Sequence, residues 1–189
     1  MKSKLLLFPA MLSLAASLFF GSPIDAMAAP QQVTTQTTAA AASTVPVVPS
    51  QVTFNNVSLT YYDNYAKQVL PIINQYRAQA GLPALVWNDA AAAAAKARAQ
   101  EIAYLFDHTR PDGSDCLTAL TQAGQVNPWR GENIAGGQTS PSEVMVTWMN
   151  SPGHYANIMH EKFASVGVAC LYIPNTEYGY YWVQLFVGY

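Results

Sequence analysis

Most of the residues whose types could do chemistry lie between Gly131 and Met159. This window carries a carboxylate at Glu132, an amide at Asn133 and an imidazole at His154, within two polar, glycine-bearing turns around a short helical segment. A carboxylate and an imidazole can exchange a proton, hold one another in a fixed orientation or bind a metal. We therefore interpret this window as the floor of a cleft.

The dipeptide Ser151-Pro152 determines which protonation state we expect for His154. Serine is a favoured N-cap and proline is favoured at the first helical position, so a short helix is predicted to begin there with His154 in its first turn. The positive end of a helix disfavours imidazolium, so His154 is predicted to stay neutral, able to accept a hydrogen bond or bind a metal. Ser151 is better explained as this cap than as a nucleophile, and the chain contains no G-x-S-x-G motif.

The elements that must position these residues are helices first and strands last. The apolar spacing and the capping signals predict helices over Tyr62–Ala80, Ala90–Phe106 and Asp115–Ala123, from Pro141 and from Pro152. Alternating β-branched and aromatic residues predict strands over Ser165–Ile173 and Tyr180–Gly188, and the segment around Asn133–Ala135 is expected to supply a third. This order indicates the α+β class, with an antiparallel sheet covered by helices.

The amino-terminal region predicts export from the cell. Lys2 and Lys4 precede an apolar run from Leu5 to Phe20, and small residues end at Ala28, which is the layout of a signal peptide over residues 1–28. The apolar run is short for a membrane span, so we expect no stable span after cleavage. Residues 29–59 are rich in Ala, Thr and Pro and are predicted to be a disordered linker, which leaves residues 60–189 as one secreted domain, extracellular or periplasmic.

Charge and cysteine content narrow the choice of partners and of crosslinks. The formal net charge is −2 and no basic stripe is present, so nucleic acid is not expected as a partner. Cys116 and Cys170 are the only cysteines in the chain. In an oxidising compartment an isolated pair favours a disulfide, and the alternative is two buried free thiols.

Several motifs, taken in order, resemble one known family. They are Gly131-Glu132-Asn133-Ile134-Ala135, Trp148-Met149-Asn150-Ser151-Pro152-Gly153-His154 with the following Asn157-Ile158, and Tyr181-Trp182-Val183-Gln184-Leu185-Phe186. Together they resemble the bacterial branch of the CAP superfamily, which groups cysteine-rich secretory, antigen-five and pathogenesis-related proteins. The resemblance runs from about Tyr62 to Tyr189. It implies a three-layer α-β-α sandwich with a small central antiparallel sheet.

The resemblance also implies a site. Many eukaryotic CAP proteins carry a tetrad of two histidines and two glutamates, and His108 and Glu132 match the first of each. Ser151 and Tyr181 stand where the second glutamate and the second histidine would be, and His154 partly restores the missing imidazole. The implied ligand-binding set is His108, Glu132, Asn133, Ser151, His154 and Tyr181.

Two states of this implied site are open. His108, His154 and Glu132 are the candidate catalytic residues and form a ligand set that suits a divalent metal such as zinc, with a position left for water. Without a metal, Glu132 is expected to hold both imidazoles in a hydrogen-bonded ring, and no cofactor is required.

Function is expected to follow from this cleft. CAP proteins have been linked to lipid or sterol binding, to defence and, less securely, to proteolysis. The incomplete tetrad and the many aromatic residues favour a non-catalytic binding module whose partner is a small extracellular ligand, namely a lipid, a glycan or a cell-wall fragment. The alternatives are a hydrolase of peptides or wall polymers, using a metal or general acid/base chemistry, and a structural surface protein.

Overall fold

The computed structural model describes residues 57–189, so the predicted signal peptide and almost all of the predicted linker lie outside it. The helices are α1 (Asp63–Gln79), α2 (Asp89–Tyr104), α3 (Thr118–Gln122), α4 (Pro141–Met149) and α5 (Pro152–Ile158). The strands are β1 (Thr60–Tyr61), β2 (Val86–Trp87), β3 (Arg130–Gly136), β4 (Phe163–Tyr172) and β5 (Tyr180–Gly188). No helix within the described range is both long enough and apolar enough to span a bilayer.

The sheet is built on the antiparallel pair of β4 and β5. Its order is β1-β4-β5-β3, and β2 adds parallel to β4 on the same outer edge that β1 uses. Strand β3 pairs antiparallel with β5 and forms the opposite edge. The sheet therefore has two different edges: β3 is a single strand, whereas the outer edge of β4 is shared by two very short ones.

Helices cover both faces of the sheet. Helices α1, α4 and α5 pack on one face, and α2 and α3 pack on the other. The α1-side core includes Val69, Ile73, Trp148, Trp182 and Phe186, and the α2-side core includes Ile102, Leu120, Ile134, Tyr181 and Val183. Burying each large apolar side chain contributes about 1.5–3 kcal/mol. The expected α+β three-layer sandwich with a central, mainly antiparallel sheet is confirmed.

The alanine run of α2 lets this helix lie directly on β4. A Cβ added to Gly167 would lie 2.0 Å from the backbone nitrogen of Ala92, which leaves no room for a side chain. This contact between backbones fixes α2 over the middle of β4.

Arg77 joins α1 to the segment that links α5 to β4. Its guanidinium is fully buried and donates hydrogen bonds to the carbonyls of Pro83 at 2.8 Å, Ile158 at 2.8 Å, His160 at 3.0 Å and Phe163 at 3.3 Å. Backbone carbonyls therefore solvate the buried charge. The position of α5 depends on these bonds.

Two helix boundaries differ from the sequence prediction by more than one residue. Helix α2 ends at Tyr104 rather than Phe106, because Leu105 turns to extended backbone. The third helix begins at Thr118 rather than Asp115, since Asp115 accepts a hydrogen bond from the Leu117 N–H in a turn. Loop residues therefore occupy positions that apolar spacing alone assigned to helix.

The predicted disulfide is wrong. Cys116 and Cys170 are both free and both buried. Cys170 belongs to the α1-side core, whereas the Cys116 thiol lies beside the Glu132 carboxylate on the α2 side. The sheet separates them, and a disulfide requires Cα atoms within about 7 Å.

Candidate functional site

His108 and Glu132 form the centre of the candidate site. His108 lies in the loop after α2, and its Nδ1 is 2.8 Å from Oε1 of Glu132, which β3 supplies. The Glu132 side chain is 1% exposed and that of His108 is 54% exposed. The structure thus brings this predicted pair together, with the carboxylate enclosed and the imidazole open to solvent.

Glu132 is also held by an arginine. Arg98 of α2 donates from Nε to Oε2 at 2.7 Å and from Nη2 to Oε1 at 3.1 Å, a bidentate ion pair buried from solvent. The pairing continues, because Arg98 Nη1 lies 2.7 Å from Glu101 Oε2 and Arg110 Nη2 lies 2.6 Å from Glu101 Oε1. These four residues, Arg98, Glu101, Arg110 and Glu132, are called the arginine–glutamate network below.

This network sets the protonation of the pair. Burial opposes the charge on Glu132, but the hydrogen bonds from His108 and Arg98 outweigh it and lower the pKa of Glu132. The hydrogen bond to Glu132 in turn raises the pKa of His108, against the effect of its partial burial. At neutral pH Glu132 is therefore a carboxylate whose two oxygens are both engaged, and it is poorly placed to accept a further proton.

His154 lies on the other side of β3. Its helix, α5, begins at Pro152 as predicted, with Ser151 at the N-cap, although the Ser151 hydroxyl makes no capping hydrogen bond. The carbonyl of His154 accepts a hydrogen bond from Nδ2 of Asn133 at 3.1 Å. Burial first, and the nearby charge of His108 second, lower the pKa of His154. The lowered pKa favours the neutral imidazole that the sequence predicted. Its main cause, however, is desolvation and not the helix N-terminus that the prediction relied on.

Glu132 does not hold both rings in a single hydrogen-bonded ring. Among the described residues, only one of the two imidazoles, that of His108, is bonded to Glu132. The Nδ1 atom of His154 is buried and has no hydrogen-bond partner within residues 57–189. Arg98 instead donates to both oxygens of the carboxylate. An arginine therefore takes the place expected for the second imidazole.

An amide cluster joins α5 to β3. Asn157 donates from Nδ2 to Oδ1 of Asn133 at 2.8 Å and to the Glu132 carbonyl at 3.1 Å, and Asn133 donates to Oε1 of Gln184 at 3.0 Å. Sequence reasoning placed Asn133 at the site and assigned no role to Asn157. The motif that contains His154 did provide a signal, because Asn157 follows in its second half.

Tyr181 lies away from the His108–Glu132 pair. It pairs with Gly136, whereas Glu132 pairs with Leu185, so Tyr181 is displaced along the strands. Its side chain is 2% exposed and packs edge-on against Tyr178, with ring centroids 5.9 Å apart. It shares the α2 face with Glu132 but serves mainly as core.

Cys116, rather than His154, completes the group of potential metal ligands. One donor atom from each of His108, Cys116 and Glu132 lies within 4.8 Å of the others. A nitrogen, a sulfur and an oxygen together suit Zn²⁺. However, burial, aided by the charge of Glu132, raises the pKa of Cys116 to about 12, and Arg98 already engages Glu132. A metal would have to displace the proton of the Cys116 thiol and compete with Arg98 for the Glu132 carboxylate.

The sequence match now supports a family. Residues 70–186 match the family described as CAP: Cysteine-rich secretory protein family. The chain belongs to the CAP family. A relative in Bacillus subtilis, described as the uncharacterized protein YkwD, is 32% identical over 166 residues, which cover 85% of this chain. The match covers 63% of that CAP relative, so the chain spans less than two thirds of its length.

Solved structures show the same fold. An extracellular protein containing an SCP domain from Bacillus anthracis aligns with a TM-score of 0.60 at 23% identity, covering 67% of this chain and 41% of the other. An outer surface protein from Borrelia burgdorferi aligns with a TM-score of 0.60 at 21% identity, covering 66% and 92%. A cysteine-rich secretory protein from Staphylococcus aureus aligns with a TM-score of 0.54 at 19% identity, covering 67% and 39%. At these identities the likeness concerns the CAP fold alone.

Proposed function

We propose that this CAP domain is a secreted, non-catalytic module that binds a lipid beside His108. The observation that carries the proposal is the state of Glu132, whose two oxygens are bonded to Arg98 and His108 and whose side chain is 1% exposed. A general base needs a free lone pair within reach of the substrate proton. Glu132 instead acts as a fixed support that orients an exposed imidazole.

The surface next to His108 supports a ligand with an apolar part. Tyr104 is 71% exposed, Leu105 is 42% exposed and Phe106 is 40% exposed, and they immediately precede the loop that carries His108. Phe106 also contacts Tyr178, with ring centroids 4.9 Å apart. We call Tyr104–Phe106 the apolar rim. Because consecutive exposed apolar residues mark binding surfaces, the rim favours an acyl chain over an uncharged glycan, with His108 near the polar headgroup.

Export fits this proposal. Two of the similar structures carry descriptions of an extracellular and an outer surface protein. Residues 1–28 have the layout of a signal peptide. A secreted domain would meet lipids of a membrane surface or of another cell.

The test is a binding titration with a lysophospholipid below its critical micelle concentration, with a muropeptide disaccharide as the competing probe. Phe106→Ser removes the residue of the apolar rim that is nearest to His108 in the sequence and is expected to weaken lysophospholipid binding by about tenfold or more. Val146→Ser is the matched control, because Val146 is 54% exposed on α4, on the other face of the sheet. Equal loss in both variants, or binding of the disaccharide alone, would overturn the lipid assignment.

A metal-assisted hydrolase is the second candidate, and the observation that favours it is the His108, Cys116 and Glu132 group. These residues would hold Zn²⁺, which would supply a nucleophilic hydroxide at neutral pH. Zinc analysis of chelator-free protein tests this directly. Cys116→Ser should abolish zinc binding and Cys170→Ser should leave it intact, since Cys170 lies in the other core.

A turnover assay distinguishes the binding module from the hydrolase. In a hydrolase, the double variant His108→Ala, His154→Ala would keep ligand affinity and lose turnover of peptides or wall polymers. If wild-type protein shows no turnover above a buffer control, the hydrolase is excluded for those substrates and the binding module stands.

A further inference from the structure

The outer edge of β4 has a gap between its two short partner strands. The N–H of Asn88, just after β2, donates to the carbonyl of Val166 at 3.0 Å, and the N–H of Tyr62, just after β1, donates to the carbonyl of Cys170 at 2.9 Å. Backbone groups in an antiparallel strand face alternate edges with a period of two. Val168, midway between, therefore directs both its N–H and its C=O to this edge. Within residues 57–189, neither β1 nor β2 pairs with it.

A cavity of about 270 Å³ lies at this gap, with Val168 in its wall. Trp87 and Asp89 line the end near β2, and the indole N–H of Trp87 donates to Oδ1 of Asp89 at 2.9 Å. Asp63 and Lys96 line the end near β1 and form an ion pair at 2.7 Å. The cavity thus joins polar backbone groups to an aromatic wall and to charges of both signs.

The gap limits the shape of an occupant. Because Asn88 and Tyr62 close its two ends, an extended peptide has no path along the edge, and only one residue-sized unit fits opposite Val168. In antiparallel pairing, one residue offers its own nitrogen and its own carbonyl, on either side of a single carbon, to the facing residue. An α-amino acid has this arrangement: its ammonium can donate to the Val168 C=O and its carboxylate can accept from the Val168 N–H.

The charges of the cavity match such a molecule. Asp63 and Asp89 supply two carboxylates, and Lys67 and Lys96 supply two ammonium groups, so both ends of a zwitterion meet partners of opposite charge. The indole of Trp87 gives an apolar wall for a side chain. We propose that this cavity binds a free zwitterionic α-amino acid with an apolar side chain.

This amino-acid cavity is independent of the proposed lipid surface. It lies at the edge of the sheet formed by β4, whereas Glu132 belongs to β3 at the opposite edge. A protein that fails to bind lipid can still bind an amino acid here, and the reverse also holds. His108→Ala should therefore leave amino-acid binding unchanged.

The experiment is a titration of ¹⁵N-labelled protein with L-leucine, followed by the amide signal of Val168 and the indole signal of Trp87. Both signals are expected to shift and to saturate. Ala93→Phe fills the cavity from its exposed rim and is expected to abolish the response. Ala97→Phe is the control, since Ala97 is exposed one turn further along α2 and does not line the cavity.

Analogues test the zwitterion. N-acetyl-L-leucine lacks the ammonium and L-leucinamide lacks the carboxylate, and each is expected to bind at least about tenfold more weakly than L-leucine because one charge-assisted hydrogen bond is lost. Saturation by N-acetylglucosamine without a response to L-leucine would assign the cavity to a sugar and overturn the proposal. If none of these compounds gives a saturable shift, the cavity holds only water and the proposal is overturned.

Discussion

The two edges of the sheet treat buried polar groups in opposite ways. At the β3 edge, Glu132 is neutralised by Arg98 and bonded to His108, so the protein itself satisfies the carboxylate. At the outer edge of β4, the backbone of Val168 faces a cavity, and the ion pair that lines this cavity, Asp63–Lys96, is partly exposed. The comparison indicates that Glu132, which the sequence motifs emphasise, is already bonded to side chains of the protein itself. Within residues 57–189, the edge without a motif leaves the backbone of Val168 unpaired by either short strand, and recognition can use these free hydrogen-bonding groups.

The largest difference in stability is expected when one cation is removed at each edge of the sheet. Arg98→Met removes the cation shared by two buried carboxylates, leaving Glu132 bonded to His108 and Glu101 bonded to Arg110, and is expected to lower the free energy of unfolding by about 3–5 kcal/mol. Lys96→Met removes a pair whose side chains are 39% and 59% exposed and is expected to cost less than about 1 kcal/mol. Urea denaturation measures both values. Equal costs would show that the two edges do not differ in the way described.

A smaller effect is expected where α2 lies on β4. Gly167→Ala places a Cβ against the backbone of Ala92 and should destabilise the protein by about 1–3 kcal/mol through overpacking. Gly153→Ala is the control, because within residues 57–189 no atom beyond its chain neighbours and its own helix backbone lies within 4 Å of the added Cβ, and alanine favours the helix there. Thermal unfolding compares them. A neutral Gly167→Ala would mean that α2 can move away from the β4 edge, and the shape of the cavity would no longer be fixed.

The smallest expected effect is the pH dependence of the two histidines. The bond to Glu132 raises the pKa of His108 above its ordinary value of 6.5, so its contribution to stability is complete below that pH and is lost as pH rises through the folded pKa. The pKa of His154 is lowered by burial, so its contribution is present above pH 6.5 and is lost as pH falls through the folded pKa. Since the His108 side chain is 54% exposed, its contribution should stay below about 1 kcal/mol.

NMR titration of the ring protons tests the order of these two pKa values. His108 should titrate above 6.5 and His154 below it. Glu132→Gln removes the main cause and should bring His108 back toward 6.5, whereas Asp107→Asn, a minor cause, should leave most of the shift. A His154 that titrates above His108 would contradict the assignment of the two environments.

Local signals in the sequence predicted most of the fold. Ser140 and Ser151 mark the starts of α4 and α5, and alternating residues mark β4 and β5, because capping and a period of two depend on neighbours along the chain. The two-residue strands β1 and β2 have no such pattern. They exist because β4 offers an edge to them, which is a tertiary effect.

The candidate site was predicted in part, for a related reason. The pair of His108 and Glu132 followed from the family resemblance, but no motif assigned a role to Arg98 or Glu101 on the alanine-rich helix. Their positions continue the stripe of buried alanines, with Arg98 three residues after Ala95 and Glu101 three residues further on. This spacing was the available signal. What the sequence could not show is that Arg110, from a loop, would turn toward Glu101.

Arg77 holds α5 in place from α1, although it is not one of the residues of the candidate site. Because one guanidinium holds the carbonyls at the end of α5 and at the start of β4, the helix that carries His154 is anchored from α1, on a side chain with no contact to either imidazole. A lysine at that position would keep the charge but lack the planar fork needed to reach several carbonyls. A substitution at position 77 would therefore act on the imidazole of α5 without changing Arg98 or His108, the two side chains that bond to the Glu132 carboxylate.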